Sequence, residues 1–216
     1  MRIVDLTQLT TEDMPVFPGT DPPKLEAVYT HEEHGAMVSC FTACSHAGTH
    51  IDAPCHMVQG TATLDNLPVS KFVGKALVID AKDCKAGERI TMDYVNKVKD
   101  KADQAEILLF RTDWDKNWND KEKYLGDYPY IDDDVAQYII DSKKKCVGFD
   151  VLGIDPIADE NYTLHKKLFN AGVLIVENLT NLELCGDGIF LFSALPVKYK
   201  NADGAPVRAV GFLDLI

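Results

Sequence analysis

The stretch Ser45-His46-Ala47-Gly48-Thr49-His50-Ile51-Asp52-Ala53-Pro54-Cys55-His56 puts three of the chain's six histidines and an aspartate within eleven residues. Imidazole and carboxylate are ligands that a divalent transition metal prefers. The spacing also gives the segment a shape. His46, His50 and Asp52 are separated by even offsets, and in an extended chain even offsets share one face. A helix would align His46 with His50 but turn Asp52 away, and Gly48 and Pro54 both oppose a helix. The segment is therefore expected to be extended and to enter a turn at Ala53-Pro54. His56 keeps the even parity, but Pro54 breaks the regularity, so His56 can sit near the metal without being a ligand. The competing reading is a local set of hydrogen-bonded or solvated histidines; the four residues at these offsets favour the metal site.

Working outward, 216 residues suffice for one well-filled core. Hydrophobic content of 46% and charged content of 26% are ordinary for a soluble globular domain. A net charge of −12 argues against nucleic acid as a partner, because that requires a basic patch. The basic run Lys143-Lys144-Lys145 reads as the solvated end of a helix. No segment approaches the roughly 20 apolar residues of a membrane span. Met1 to Leu6 reads as a short strand and not as a signal peptide, so the expected location is cytoplasmic. The cysteines at 40, 44, 55, 84, 146 and 185 lack Cys-x-x-Cys spacing, which excludes zinc-ribbon and thioredoxin readings. Most are expected to be reduced and buried.

The rest of the chain alternates strands and helices. Strands are expected at Arg2 to Leu9, Leu25 to Thr30, Val38 to Ala43, Ala76 to Asp80, Ile107 to Arg111, Cys146 to Asp150, Val173 to Glu177, Ile189 to Ala194 and Val207 to Leu213. Helices are expected at Thr91 to Lys99, Asp132 to Ser142 and Asp159 to Asn170, the last closed by Gly172. Met14 to Pro23 is a stiff, proline-rich loop. Asp113 to Tyr130 is aromatic and charged, and reads as a surface excursion or interface, or as rings packed onto their own domain. The fold class is α/β: a single domain, residues 1–216, with a mixed β-sheet and flanking helices. In this layout His165 falls mid-helix and Glu177 ends the following strand, at the mouth of the sheet where sites form. Each would be a weak candidate alone.

Taken together, these segments resemble the cyclase family, best known through bacterial kynurenine formamidase. The carrier is His46-Ala-Gly48-Thr49-His50-Ile-Asp52-Ala-Pro54-Cys-His56, which is similar to the family's His-x-Gly-Thr-His-x-Asp-x-Pro-x-His signature. Phe110 to Trp114, Gly153 to Pro156, His165, Glu177 to Leu179 and Asp203 to Ala209 extend the resemblance over essentially the whole chain. It implies a swivelling β/β/α-like fold and a homodimer or larger homo-oligomer. It implies that His46, His50 and Asp52 bind one Zn²⁺, that His165 binds a second, and that Asp52 and Glu177 are shared between two metals. Mn²⁺ is the alternative metal. It also implies that His56 is a catalytic acid/base, and that Phe17 lies against the substrate ring where the formamidases typically have Trp. Related isatin hydrolases use one manganese and tend to carry an amide at the position of Glu177, so Glu177 points toward the two-zinc formamidases.

The chemistry is coherent on general grounds. A bound Zn²⁺ lowers the pKa of its water to about 7 and polarises a carbonyl. A histidine such as His56 can move the water's proton to a leaving amine. The resemblance implies a small-molecule amide substrate, with arylformamidase action on N-formyl-L-kynurenine as the leading case. Cyclic-amide hydrolysis, or a metal-dependent lyase, is the alternative on the same scaffold. A purely structural metal module is disfavoured, because structural zinc is usually closed by four Cys or His ligands.

Overall fold

The computed structural model describes residues 1–215. The strands among them are β1 (Arg2–Asp5), β2 (Lys24–Tyr29), β3 (Val38–Thr42), β4 (His50–Asp52), β5 (Val73–Asp80), β6 (Arg89–Ile90), β7 (Ile107–Arg111), β8 (Tyr130–Ile131), β9 (Cys146–Phe149), β10 (Leu174–Glu177), β11 (Phe190–Ser193), β12 (Gly204–Pro206) and β13 (Val210–Leu213). The helices are α1 (His31–His34), α2 (Met92–Asn96), α3 (Lys99–Gln104), α4 (Lys121–Tyr124), α5 (Asp133–Asp141) and α6 (Thr163–Asn170).

Nine strands make one mixed sheet in the order β1-β13-β11-β5-β7-β9-β10-β4-β12. Its centre, β5 to β10, is parallel, and both wings are antiparallel. The central strands are continuous apolar runs because both of their faces are covered. Leu77, Ile79, Leu108, Phe110, Val147, Phe149 and Ile175 point to one core, where α5 and α6 contribute Val135, Ile139, Leu168 and Phe169. The alternate residues Ala76, Val78, Ile107, Leu109, Cys146, Leu174 and Val176 point to a second core. That second core joins Val4 and Leu213 from one end of the sheet to Ile51 and Ala205 from the other. The sheet therefore curls until its two wings share an interior.

Local chemistry sets the helix ends. The Asp132 side chain caps α5 by accepting from Asp133 N, and Asp133 and Asp134 follow in the first turn, where the helix dipole favours negative charge. After α6, Gly172 adopts φ +73°, the left-handed stop expected from the sequence.

Three expectations change, and one open alternative is decided. The helix expected over Thr91 to Lys99 is two short helices, α2 and α3. The helix expected from Asp159 begins at Thr163, because the Asp159 carboxylate accepts from Asn161 N and Thr163 N and folds the preceding residues into a turn. The aromatic segment packs on its own domain: Trp118, Tyr124 and Tyr128 are buried, and Trp114 Nε1 donates to the Tyr124 carbonyl at 3.0 Å.

The basic run also differs from its expected role. Lys144 is buried, and its ammonium donates to the carbonyls of Ala102 and Ala105, each at 2.6 Å. It closes the C-terminal end of α3, where a cation meets unpaired carbonyls. Lys144→Ala is expected to lower stability by about 2–3 kcal/mol in chemical denaturation, the scale of losing charged hydrogen bonds in a buried site. The exposed Lys143→Ala should change it by less than about 0.5 kcal/mol.

Candidate active site

Strand β4 lies between β10 and β12, and its register builds the site. His50 is opposite Glu177 and Asp52 is opposite Ile175 on one side; Asp52 is opposite Gly204 on the other. Alternation then directs His50, Asp52 and Glu177 to one face. All three are buried. His46 reaches them by a different route. Residues 45–49 form a turn, with Gly48 at φ +68°, so the expected extended run from His46 holds only from His50 to Asp52.

Asn178 holds that turn. Its amide donates to the Gly48 carbonyl at 2.9 Å and its side-chain oxygen accepts from the Tyr124 hydroxyl at 2.7 Å. Its own carbonyl accepts from Thr49 Oγ1 at 2.6 Å. Asn178 has φ +58°, a conformation Asn tolerates better than most residues.

The imidazoles are orientated from outside. His50 Nδ1 is 2.8 Å from the Gly48 carbonyl, an acceptor only, so Nδ1 carries the proton. His50 Nε2 then faces Asp52 Oδ1 at 3.1 Å and Glu177 Oε2 at 3.4 Å, buried and without a hydrogen bond. His165, in the first turn of α6, donates from Nδ1 to Asp155 Oδ2 at 2.5 Å and sets Nε2 3.1 Å from Glu177 Oε1. Asp155 also accepts from the backbone N–H groups of Leu164 and His165, which ties ring and helix start to one carboxylate. His46 Nδ1 lies 2.6 Å from Asp52 Oδ1. His56 stacks on His46 with centroids 3.8 Å apart. The nearest carboxylate oxygen to the His56 ring is 3.9 Å away, too far for a hydrogen bond.

The electrostatics of the site are set by burial and by its two inward-facing carboxylates. Burial pushes the Glu177 carboxyl up, and the Asp52 charge adds to this. Burial also acts to raise Asp52, but the His50 and His46 charges hold it well below the carboxylate range. Burial opposes charge on His46 and His165, yet the carboxylates around them raise them to about 9 and about 10. Burial takes His56 down to about 4. Two buried carboxylates thus draw protons onto the rings that face them, and a divalent cation would supply the same compensation. The donor set suits one: a buried, unpaired imidazole nitrogen faces two carboxylates. Donor atoms of His46, His50 and Asp52 lie within 4.8 Å of one another, as do those of Asp52, His165 and Glu177, with Asp52 common to both groups.

These residues floor a cavity of about 600 Å³ whose walls include Phe17, Met57, Tyr128, Leu152 and Tyr162. The structure brings together His46, His50, Asp52, His56, His165 and Glu177, and places Phe17 on the rim of the same cavity, partly exposed. Sequence reasoning gave Asp155 and Asn178 no role, though the family-like segments Gly153 to Pro156 and Glu177 to Leu179 contained them, and it placed Tyr128 only within the aromatic segment, not at the site.

Residues 4–156 match the Cyclase family, described as "putative cyclase". The chain belongs to that family. The kynurenine formamidase of Bacillus thuringiensis (strain Al Hakam) is 32% identical over 208 residues, covering 96% of this chain and 95% of the relative. That of Bacillus anthracis is 31% identical with the same coverage. Among solved structures, a "predicted metal-dependent hydrolase" from Bacillus stearothermophilus is similar at 30% identity and a TM-score of 0.78, covering 97% of each chain. Isatin hydrolase A from Labrenzia aggregata shares the fold at 24% identity and a TM-score of 0.87, covering 97% of this chain and 93% of its own. The chain is a hydrolytic enzyme of the cyclase family.

Asn178→Ala removes the brace of the His46 turn and places alanine at positive φ. It is expected to lower the stability of the metal-free protein by about 1–3 kcal/mol in chemical denaturation. Unchanged stability would show that the turn does not depend on it.

Proposed function

We propose that this chain is a metal-dependent amide hydrolase of arylformamidase type, cleaving N-formyl-L-kynurenine to L-kynurenine and formate. One observation carries the reading: two donor groups share Asp52 at the floor of a cavity, with a ring free of hydrogen bonds, His56, stacked beside them. Carboxylate-rich donor sets of this kind suit catalytic rather than closed structural sites. His46, His50 and Asp52 would hold one cation, and Asp52, His165 and Glu177 a second, with Zn²⁺ the first choice and Mn²⁺ the alternative. When bound, such cations lower the pKa of water and polarise a carbonyl oxygen.

The chain's own groups do the remaining work. His56 takes a proton from the attacking water and passes it to the departing aryl nitrogen. The oxygen adds to the formyl carbon and the C–N bond breaks, giving a neutral amine and formic acid, which releases its remaining proton to solvent at neutral pH and leaves as formate. Phe17 and Tyr162 supply apolar faces for an aryl ring at the cavity mouth.

We also propose that the chain works as a homodimer. β2 and β3 form a hairpin outside the main sheet, and every residue in its strands is exposed. Leu25 and Phe41 pair across it. A two-stranded hairpin without a covered face is marginal in water, so a partner surface is needed. Among the described residues no helix is long and apolar enough to cross a membrane. The six cysteines are free thiols, which suits the reducing cytoplasm proposed as its location.

The zinc- or manganese-loaded enzyme is expected to hydrolyse N-formyl-L-kynurenine in preference to isatin. His56→Ala should lower kcat by about 10²- to 10⁴-fold while metal content stays unchanged. No turnover of any aryl formamide by the loaded protein would overturn the assignment, and full turnover by the variant would remove His56 from it. For the assembly, light scattering should give twice the chain mass, and the mass of one chain when Leu25 and Phe41 are both serine. A wild-type protein that is monomeric at tens of micromolar would refute the dimer.

A further inference from the structure

The three imidazoles facing the buried carboxylates share one design. Each turns one ring nitrogen inward and has the other held by an outer acceptor. For His50 the outer acceptor is the Gly48 carbonyl, and for His165 it is the Asp155 carboxylate. For His46 it is Asp203, whose Oδ2 lies 3.1 Å from Nε2, on the side of the ring opposite the Nδ1 contact with Asp52.

We infer that Asp203, with Gly204, is a positioning element that fixes which ring nitrogen His46 presents to the metal donors. His46 differs from the other two in turning Nδ1 inward. An imidazole on a turn can also rotate or change tautomer, and either would withdraw the Nδ1 lone pair. Asp203 opposes both, because a carboxylate only accepts and so holds a proton on Nε2, leaving Nδ1, whose proton is shared with Asp52, as the nitrogen a cation would take over. The carboxylate is itself anchored: Ser45 Oγ donates to Oδ2 at 3.3 Å, and the Asp203 carbonyl accepts from Ala53 N at 2.8 Å. Gly204 supplies the space. A Cβ at that position would stand 2.5 Å from His46 Cε1 and 2.8 Å from Nε2, closer than real contacts allow. The ring therefore lies against the bare backbone of β12.

Asp203 could instead be a ligand, since His46, His56 and Asp203 also have donor atoms within 4.8 Å. The placement argues otherwise: His46 turns Nδ1 toward buried Asp52, whereas Asp203, with its side chain about half exposed, meets Nε2 on the outer side of the ring. The inference rests on the metal-site reading proposed above, and goes beyond it by assigning a residue outside both donor groups.

The test is titration of metal-free protein with Co²⁺, followed by its visible absorption bands, which report ligand type and geometry. Asp203→Ala is expected to bind Co²⁺ about 10- to 100-fold more weakly at the His46 site, the range for losing an outer carboxylate, with an altered spectrum. Its metal-free melting temperature should stay near that of the wild type. Asp203→Asn keeps an acceptor for the Nε2 proton and is expected to recover most of the affinity and spectrum, and it serves equally if the alanine variant does not fold. Wild-type affinity and spectrum in Asp203→Ala would overturn the role, as would an asparagine variant no better than alanine. Loss of a whole equivalent of Co²⁺ in Asp203→Ala would make Asp203 a ligand and overturn it too. A wild-type protein that takes up no Co²⁺ overturns the metal-site reading itself, a separate result.

Discussion

Asp52 and Glu177 are two buried carboxylates facing the same small space, and the surrounding structure answers to that pair. Two like charges about 4–5 Å apart repel by roughly 3–4 kcal/mol even at an effective dielectric of 20. Burial adds the loss of hydration to each. The pair persists because three imidazoles converge on it from a turn, a strand and a helix. Each ring is gripped from behind by an acceptor, which sets the direction of its inward nitrogen. Such pre-set donors spare a cation the ordering of its own ligands.

That convergence explains the topology around β4. This three-residue strand pairs with β10, more than a hundred residues downstream, and with β12 near the end of the chain. No hairpin enforces either pairing. The register is fixed by side chains: Ile51 enters the second core while its neighbours His50 and Asp52 face the donors. A slip of one residue would bury the charged pair among aliphatics and expose the isoleucine, a strongly unfavourable exchange. The curl of the sheet completes the arrangement, because Ile51 and Ala205 belong to the same core as Val4 and Leu213 of the opposite wing.

The parts of this legible in sequence were those with local causes. Apolar runs announced the parallel core, Asp132 announced the start of α5, and Gly172 the end of α6. Offset parity correctly joined His50 to Asp52. For His46 it was coincidental, since a turn at Gly48 delivers that ring. What escaped depends on partners distant in sequence. β12 is too short, and ends in Pro206, to show alternation. Lys144 looked solvated within a basic run, because nothing nearby discloses the carbonyls of Ala102 and Ala105. Tyr128, in a segment that read equally as interface, has a buried ring on the cavity wall.

The division between strand and loop also bears on substrate choice. The inward-facing donors His50, Asp52 and Glu177 sit on β4 and β10, and His165 on α6, where backbone pairing holds them. The groups an aryl substrate would touch, Phe17, Met57, Leu152 and Tyr162, come from connecting segments. Loops accept substitution at little energetic penalty because few core contacts depend on them. Phe17 illustrates this: it is 40% exposed at the cavity rim, and a change there leaves the buried charges undisturbed. The Asp52–Glu177 pair, by contrast, tolerates little, since removing either partner leaves rings that were held to face it. The chemistry is thereby fixed by the sheet, while the identity of the amide is open to adjustment at the rim.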